Sequence, residues 1–191
     1  YLTGEAVLTD DLTIISNSDF KRVNIVSIAV VFLILVFVFK SFAIPIVLIA
    51  AIELAIQINM GIPFYLGQTI PFITSIIIGV IQLGSTIDYS ILLTDRFMHE
   101  YSKSNDVDES LKIATKETSK SIVTSALSFM AATIGVGLYS KMEIVSTICT
   151  FLARGAIISM AVIIFLLPAV LSVVFPFIKK TTKGLRGGKN E

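Results

Sequence analysis

Apolar residues in this chain fall into long, nearly unbroken runs rather than into helical stripes or strand alternation. A helix needs about 20 such residues to cross the hydrocarbon core of a bilayer, so run length outweighs periodicity here. Five spans are predicted, at about 23–39, 44–58, 70–94, 122–138 and 156–174. The fold class expected is an all-α, polytopic transmembrane helix bundle with short interfacial helices. Lys40, Ser41 and Phe42 leave room only for a tight turn, and Pro45 and Pro71 suit the first turns of the helices that follow. Asn59-Met60-Gly61-Ile62-Pro63 reads as a loop closing the second span.

The polar stretches complete the plan. Residues 1–20 read as the end of an extracytoplasmic soluble region, and the start at Tyr1 with no secretory pattern suggests a piece of a longer protein. Residues 95–120 form a polar loop in which Asp106 can cap a short helix, with Glu109 three residues on. Val107, Leu111 and Ala114 give that helix one apolar face for the membrane surface. The run 144–175 is too long for one crossing and contains Arg154. The pattern divides it at Arg154-Gly155 into an interfacial helix, 144–153, and a span that Pro168 should kink. Residues 179–191 form a basic, Gly-containing tail.

Charge sets the orientation. Eleven Lys and Arg (40, 96, 103, 112, 116, 120, 179, 180, 183, 186 and 189) flank one side of the five spans, against four (21, 22, 141 and 154) on the other. The positive-inside rule then places 95–120 and the C-terminus in the cytoplasm and the N-terminus outside. Only 15% of residues are charged, against about 25% in soluble domains. A net charge of +1 argues against a nucleic-acid partner. Cys149 is the single cysteine and His99 the single histidine, which excludes an internal disulfide and a zinc site built on the pair.

Candidate chemistry centres on the third span, where Asp88 is followed by Tyr89. A carboxylate at membrane depth costs roughly 2.5–3.5 kcal/mol on insertion scales, so such acids are rare and tied to function. Asp88 lies about six residues past the middle of the span, roughly 9 Å towards the cytoplasm, and is expected to bind and release a proton. Gly84, Asp88, Leu92 and Asp95 share one helix face, while Tyr89 points about 100° away and could join a relay. The other spans are expected to build and shield the surroundings of Asp88. Glu53, in the second span, is a second proton site, a substrate contact or a structural partner. Ser121, Thr124, Ser125 and Ser128 form a stripe that either packs closely or supports Asp88 by hydrogen bonds. Arg154 reads as an interfacial snorkelling residue.

The segment 84–97, GSTIDYSILLTDRF, resembles the Asp-Tyr helix of MMPL-type transporters of the resistance–nodulation–division superfamily. YLTGEAV at 1–7 is similar to that family's return from its porter domain. FKSFAIPIVLIAAIE at 39–53 is similar to its short cytoplasmic turn, and FLARGAIISMAVIIFLLPAVL at 151–171 to its closing helix. The resemblance implies one membrane half, the C-terminal one by its basic end. It also implies a secondary active transporter rather than an enzyme, set in a bacterial plasma membrane and exporting lipidic or hydrophobic cargo. Asp88 and Tyr89 match the family's proton-relay pair, with protons as the driving force and no cofactor or metal. The implied partners are the other membrane half, the porter domains, the lipid bilayer and the cargo. The alternatives are a sterol- or lipid-sensing membrane domain without transport, and an intramembrane aspartyl protease. The protease would need Glu53 to replace a second aspartate, and the chain lacks a GxGD pattern.

Overall fold

A computed structural model describes the backbone of residues 5–67 and 72–181, and the side chains of 21–67 and 74–179. All regular structure among the described residues is helical: α1 (Glu5–Phe39), α2 (Ala43–Tyr65), α3 (Phe72–Ser104), α4 (Val107–Tyr139) and α5 (Glu143–Ala161). A π-helical segment, Val162–Leu166, joins α5 to α6 (Leu167–Thr181). Five stretches are long and apolar enough to cross a membrane: Lys21–Phe39, Ala43–Tyr65, Thr74–Ser104, Val107–Tyr139 and Glu143–Lys179. The expected start of the third span at 70–71 and the tail from 182 onward lie outside the described residues.

The helices outrun the apolar stretches that predict them. The backbone is already helical at Glu5, ahead of the first apolar run. Polar residues 95–120, expected as a loop, instead extend α3 and α4, leaving Asn105 and Asp106 as the link. Ion pairs support this extension. Arg96 Nη2 lies 3.0 Å from Glu100 one turn on, Lys103 Nζ lies 3.1 Å from the same carboxylate, and Arg96 Nε reaches Glu117 on α4. Asn105 takes a positive φ of 54°, a conformation Asn tolerates better than most residues. Asp106 then caps α4 by accepting the Glu109 backbone N–H at 3.0 Å. Replacing Asp106 with Ala should cost about 1 kcal/mol. An unchanged denaturation midpoint in that variant would show that the cap carries no stability.

Two further expectations are corrected. The segment 59–63 is not a loop, because α2 runs through it to Tyr65. The split at Arg154-Gly155 is absent too, and no separate helix occupies 144–153. One contact accounts for both. Pro63 has no N–H to give the Asn59 carbonyl four residues back, and Arg154 Nη2 donates to that carbonyl at 2.9 Å instead. Helix α2 therefore continues past its proline, and α5 keeps its arginine inside the bundle. Pro168 acts in the expected region, but through a wider turn: the Leu167 N–H bonds Val162 O, five residues back. The π-helical turn gives room to the carbonyls that a proline ring would otherwise strike.

The main apolar core lies towards the α3–α4 turn. Leu35, Ile44, Leu48, Leu93, Phe97 and Leu171 are fully buried there. The Phe175 ring packs edge-on against Phe97 at 5.5 Å and lies 4.4 Å from Tyr101. Lys179 caps this group by donating to the Tyr101 hydroxyl at 3.2 Å. A smaller cluster of Ile78, Phe151 and Leu152 lies further along the bundle. Helices α4 and α5 meet closely at Gly137, where an added Cβ would stand 3.1 Å from the Cys149 Cβ. Cys149 is buried and unpaired at that contact.

Candidate functional site

Helix α3 presents its two candidate residues to opposite surroundings. Gln82, Thr86, Tyr89, Ser90, Leu93 and Phe97 form its buried face. Tyr89 is 8% exposed and belongs to the main core. Gly84, Asp88, Leu92 and Asp95 all lie on the exposed face. The expectation that the other spans shield Asp88 is therefore corrected. The buried arc of α3 runs through Tyr89 and Ser90, and Asp88, two steps of 100° back from Ser90, falls on the far side of the helix. Asp88 has no hydrogen-bond or ion-pair partner among the described residues.

Two cross-helix contacts fix the depths of the remaining candidates. Asn59 on α2 bonds Gln82 on antiparallel α3, so six residues back along α2 and six on along α3 bring Glu53 level with Asp88. Arg96 pairs with Glu117 on α4, and eight residues in each direction bring Ser125 to the same level. Glu53 is half-buried and faces the Asn24 side chain on α1. Its Oε1 is buried without a partner. Ser121, Thr124, Ser125 and Ser128 are exposed, as Asp88 is. The Thr124 hydroxyl donates to the Lys120 carbonyl at 2.8 Å within its own helix. Among the described residues the structure joins none of Glu53, Thr124, Ser125 or Ser128 to Asp88 by a hydrogen bond.

A polar cluster that the sequence reading did not assemble ties three helices together. Asn59 Nδ2 donates to Gln82 Oε1 at 2.8 Å and to the Phe151 carbonyl at 3.1 Å. Gln82 Nε2 donates to the Ser159 hydroxyl at 3.0 Å and to the Gly155 carbonyl at 3.4 Å. Arg154 Nε donates to Asn59 Oδ1 at 2.9 Å, and its guanidinium stacks 4.5 Å from the Phe151 ring centroid. Asn59, Gln82 and Ser159 are fully buried. Gly155 makes the approach possible, since an added Cβ would come within 2.7 Å of Asn59 Nδ2 and 2.8 Å of Gln82 Oε1. The available signal was three strongly polar side chains inside otherwise apolar runs, one of them four residues before a proline.

The fold and these sites define a multi-pass membrane protein with an unpaired carboxylate on an intramembrane helix face. The family model of the MMPL family matches residues 1–187, and the chain belongs to that family. Membrane protein ActII-3 of Streptomyces coelicolor is 27% identical over 175 residues, covering 90% of this chain and 24% of that protein. The trehalose monomycolate exporter MmpL3 of Mycolicibacterium smegmatis is 26% identical over 185 residues, covering 92% of this chain and 17% of its own length. Membrane protein YdgH of Bacillus subtilis is 25% identical over 172 residues, covering 88% of this chain and 19% of that protein. The chain thus spans less than a quarter of the length of these curated relatives. Several family members are named as transport proteins, MmpL3 as an exporter.

Proposed function

We propose that the chain is one membrane half of an exporter of lipidic or hydrophobic molecules, driven by protons that Asp88 binds and releases. The observation that carries this reading is the placement of Asp88: midway along a helix long and apolar enough to cross a membrane, on an exposed face, with no partner among the described residues. A carboxylate facing lipid is costly, so that face calls for a cover, and a second membrane half bringing its own polar groups would supply one. Gly84, one turn away on the same face, adds no side chain and lets a neighbouring helix come close. The exposed hydroxyls of Ser125 and Ser128 lie near the same level and can carry the hydrogen-bonded path. Tyr89 holds α3 to the core behind Asp88 and passes its orientation to the bundle. Glu53, level with Asp88 and facing Asn24, supports from the opposite side. The basic loop side faces the cytoplasm, which makes Asp88 an acid nearer the proton-releasing side. A proton crossing the full potential supplies roughly 2.3 kcal/mol per 100 mV.

The test compares cargo efflux and proton flux for wild type and Asp88→Asn, with the rest of the transporter present and at equal membrane abundance. Asn keeps the size and removes the titration. Both fluxes should vanish while the protein still inserts. Efflux that survives with its pH dependence intact would overturn Asp88 as the coupling carboxylate and pass that role to Glu53, whereas an absence of efflux in wild type as well would favour the lipid-sensing alternative.

A further inference from the structure

Between α4 and α5 lies a cavity of about 410 Å³. Its walls include Met130 and Ile134 on α4, and Thr150, Ala153, Arg154 and Ile157 on α5. The lining is almost wholly apolar, and Arg154 is its single charged residue. The Thr150 hydroxyl is turned back onto the Ser146 carbonyl at 2.9 Å, which leaves the guanidinium as the charged donor. Two of its nitrogens, Nε and Nη2, are committed to Asn59. No carboxylate pairs with it among the described residues.

A guanidinium stays charged at any ordinary pH. Holding it part-buried in an apolar wall without a counter-charge is unfavourable, so the site is built for an anion with an apolar body. We propose that the α4–α5 cavity holds an acidic phospholipid, its phosphate on Arg154 and one acyl chain against Met130, Ile134 and Ile157. Depth supports this occupant. Asn24, two residues inside Arg22, packs with Ile76 and Val80. Gln82, which shares Asn59 with Arg154, lies six residues past Ile76, about 9 Å along the helix. Flanking Lys21 and Arg22 mark the membrane edge, and since the guanidinium is held on Asn59, the headgroup phosphate comes down the cavity to meet it. A free phosphate fits poorly, because almost wholly apolar walls, with Ser146 and Thr150 their only hydroxyls, give it little to replace its water. The inference depends on the chain being a membrane protein and is independent of the proton reading of Asp88.

The experiment uses the full 191-residue chain in nanodiscs of phosphatidylcholine with a minority of phosphatidylglycerol, followed by delipidation and native mass spectrometry. One phosphatidylglycerol should stay bound, preferred over phosphatidylcholine by roughly tenfold, as suits a charge-assisted contact. Arg154→Gln should erase the preference. Because Arg154 also anchors Asn59, that variant tests folding as well as binding, and Ile134→Phe carries the decision. It fills the cavity from α4 and leaves the polar cluster alone, so retention should fall with helicity and melting temperature unchanged. Equal retention of the two lipids by wild type would overturn the proposal. So would an unaltered preference in Ile134→Phe, or displacement of the lipid by inorganic phosphate.

Discussion

Gly155→Ala is expected to lower the stability of the chain by about 1–2 kcal/mol, although Ala is the better helix former. The new methyl would sit 2.7 Å from Asn59 Nδ2 and 2.8 Å from Gln82 Oε1, distances no Cβ can keep. Either the helices separate, at the 1–3 kcal/mol typical of overpacking, or Asn59 and Gln82 part. Parting leaves buried polar groups unmatched at about 1–3 kcal/mol each. Helix propensity works the other way, since Ala is favoured over Gly by about 1 kcal/mol inside a helix. Gly61→Ala is the natural control: it lies in α2, near Asn59, with nothing within 4 Å of its added Cβ. It should be neutral or slightly stabilising. Denaturation of both variants in the same detergent gives the comparison, and similar midpoints would show that the cluster yields freely and does not hold α2, α3 and α5 together.

That cluster also shows where the sequence stops being legible. Run length was enough to count the five spans, because a bilayer imposes one length scale on each crossing, but not to place the helix ends. The Asp106 cap was equally readable, since its chemistry is complete within four residues. The α2 end was not. Gly61 and Pro63 carry local signals for a loop, and what overrides them is an arginine donor 95 positions away. Arg154 was misread for the same reason: alone in an apolar run it looks interfacial, and only the meeting of α2 with α5 gives it Asn59. The candidate site was legible in part. Helical spacing placed Gly84, Asp88, Leu92 and Asp95 on one face, but spacing cannot say whether a face turns inward. That choice rests on which face fits Phe97, Leu93 and Tyr89 into the core, a matter of packing among five helices.

Because Asp88 faces outward, its substitution should have opposite effects in the chain alone and in a complete transporter. In the chain alone, Asp88→Leu exchanges an unpartnered carboxylate on the exposed face for an apolar side chain. Insertion scales separate the two residues by about 3–4 kcal/mol at a helix centre. Asp88 lies midway along α3, on an exposed face where its carboxylate keeps part of its hydration, so a gain of about 1–3 kcal/mol is expected in bilayers. A structural acid bonded within its own half would behave in the reverse way, since removing it leaves a buried donor unmatched and costs about 1–3 kcal/mol. Glu53→Leu provides that contrast, because Glu53 is half-buried and faces Asn24 on α1, so its loss removes a polar contact between α1 and α2. Steric trapping or unfolding in mixed detergent and lipid, applied to both variants, reads the two signs directly. A destabilised Asp88→Leu chain would mean that Asp88 has a partner within this half and that the exposed face needs no second half to cover it. A stabilised chain, together with lost efflux when the same change is made in the transporter, would mark Asp88 as a residue kept at a cost in stability for proton-coupled work across an interface.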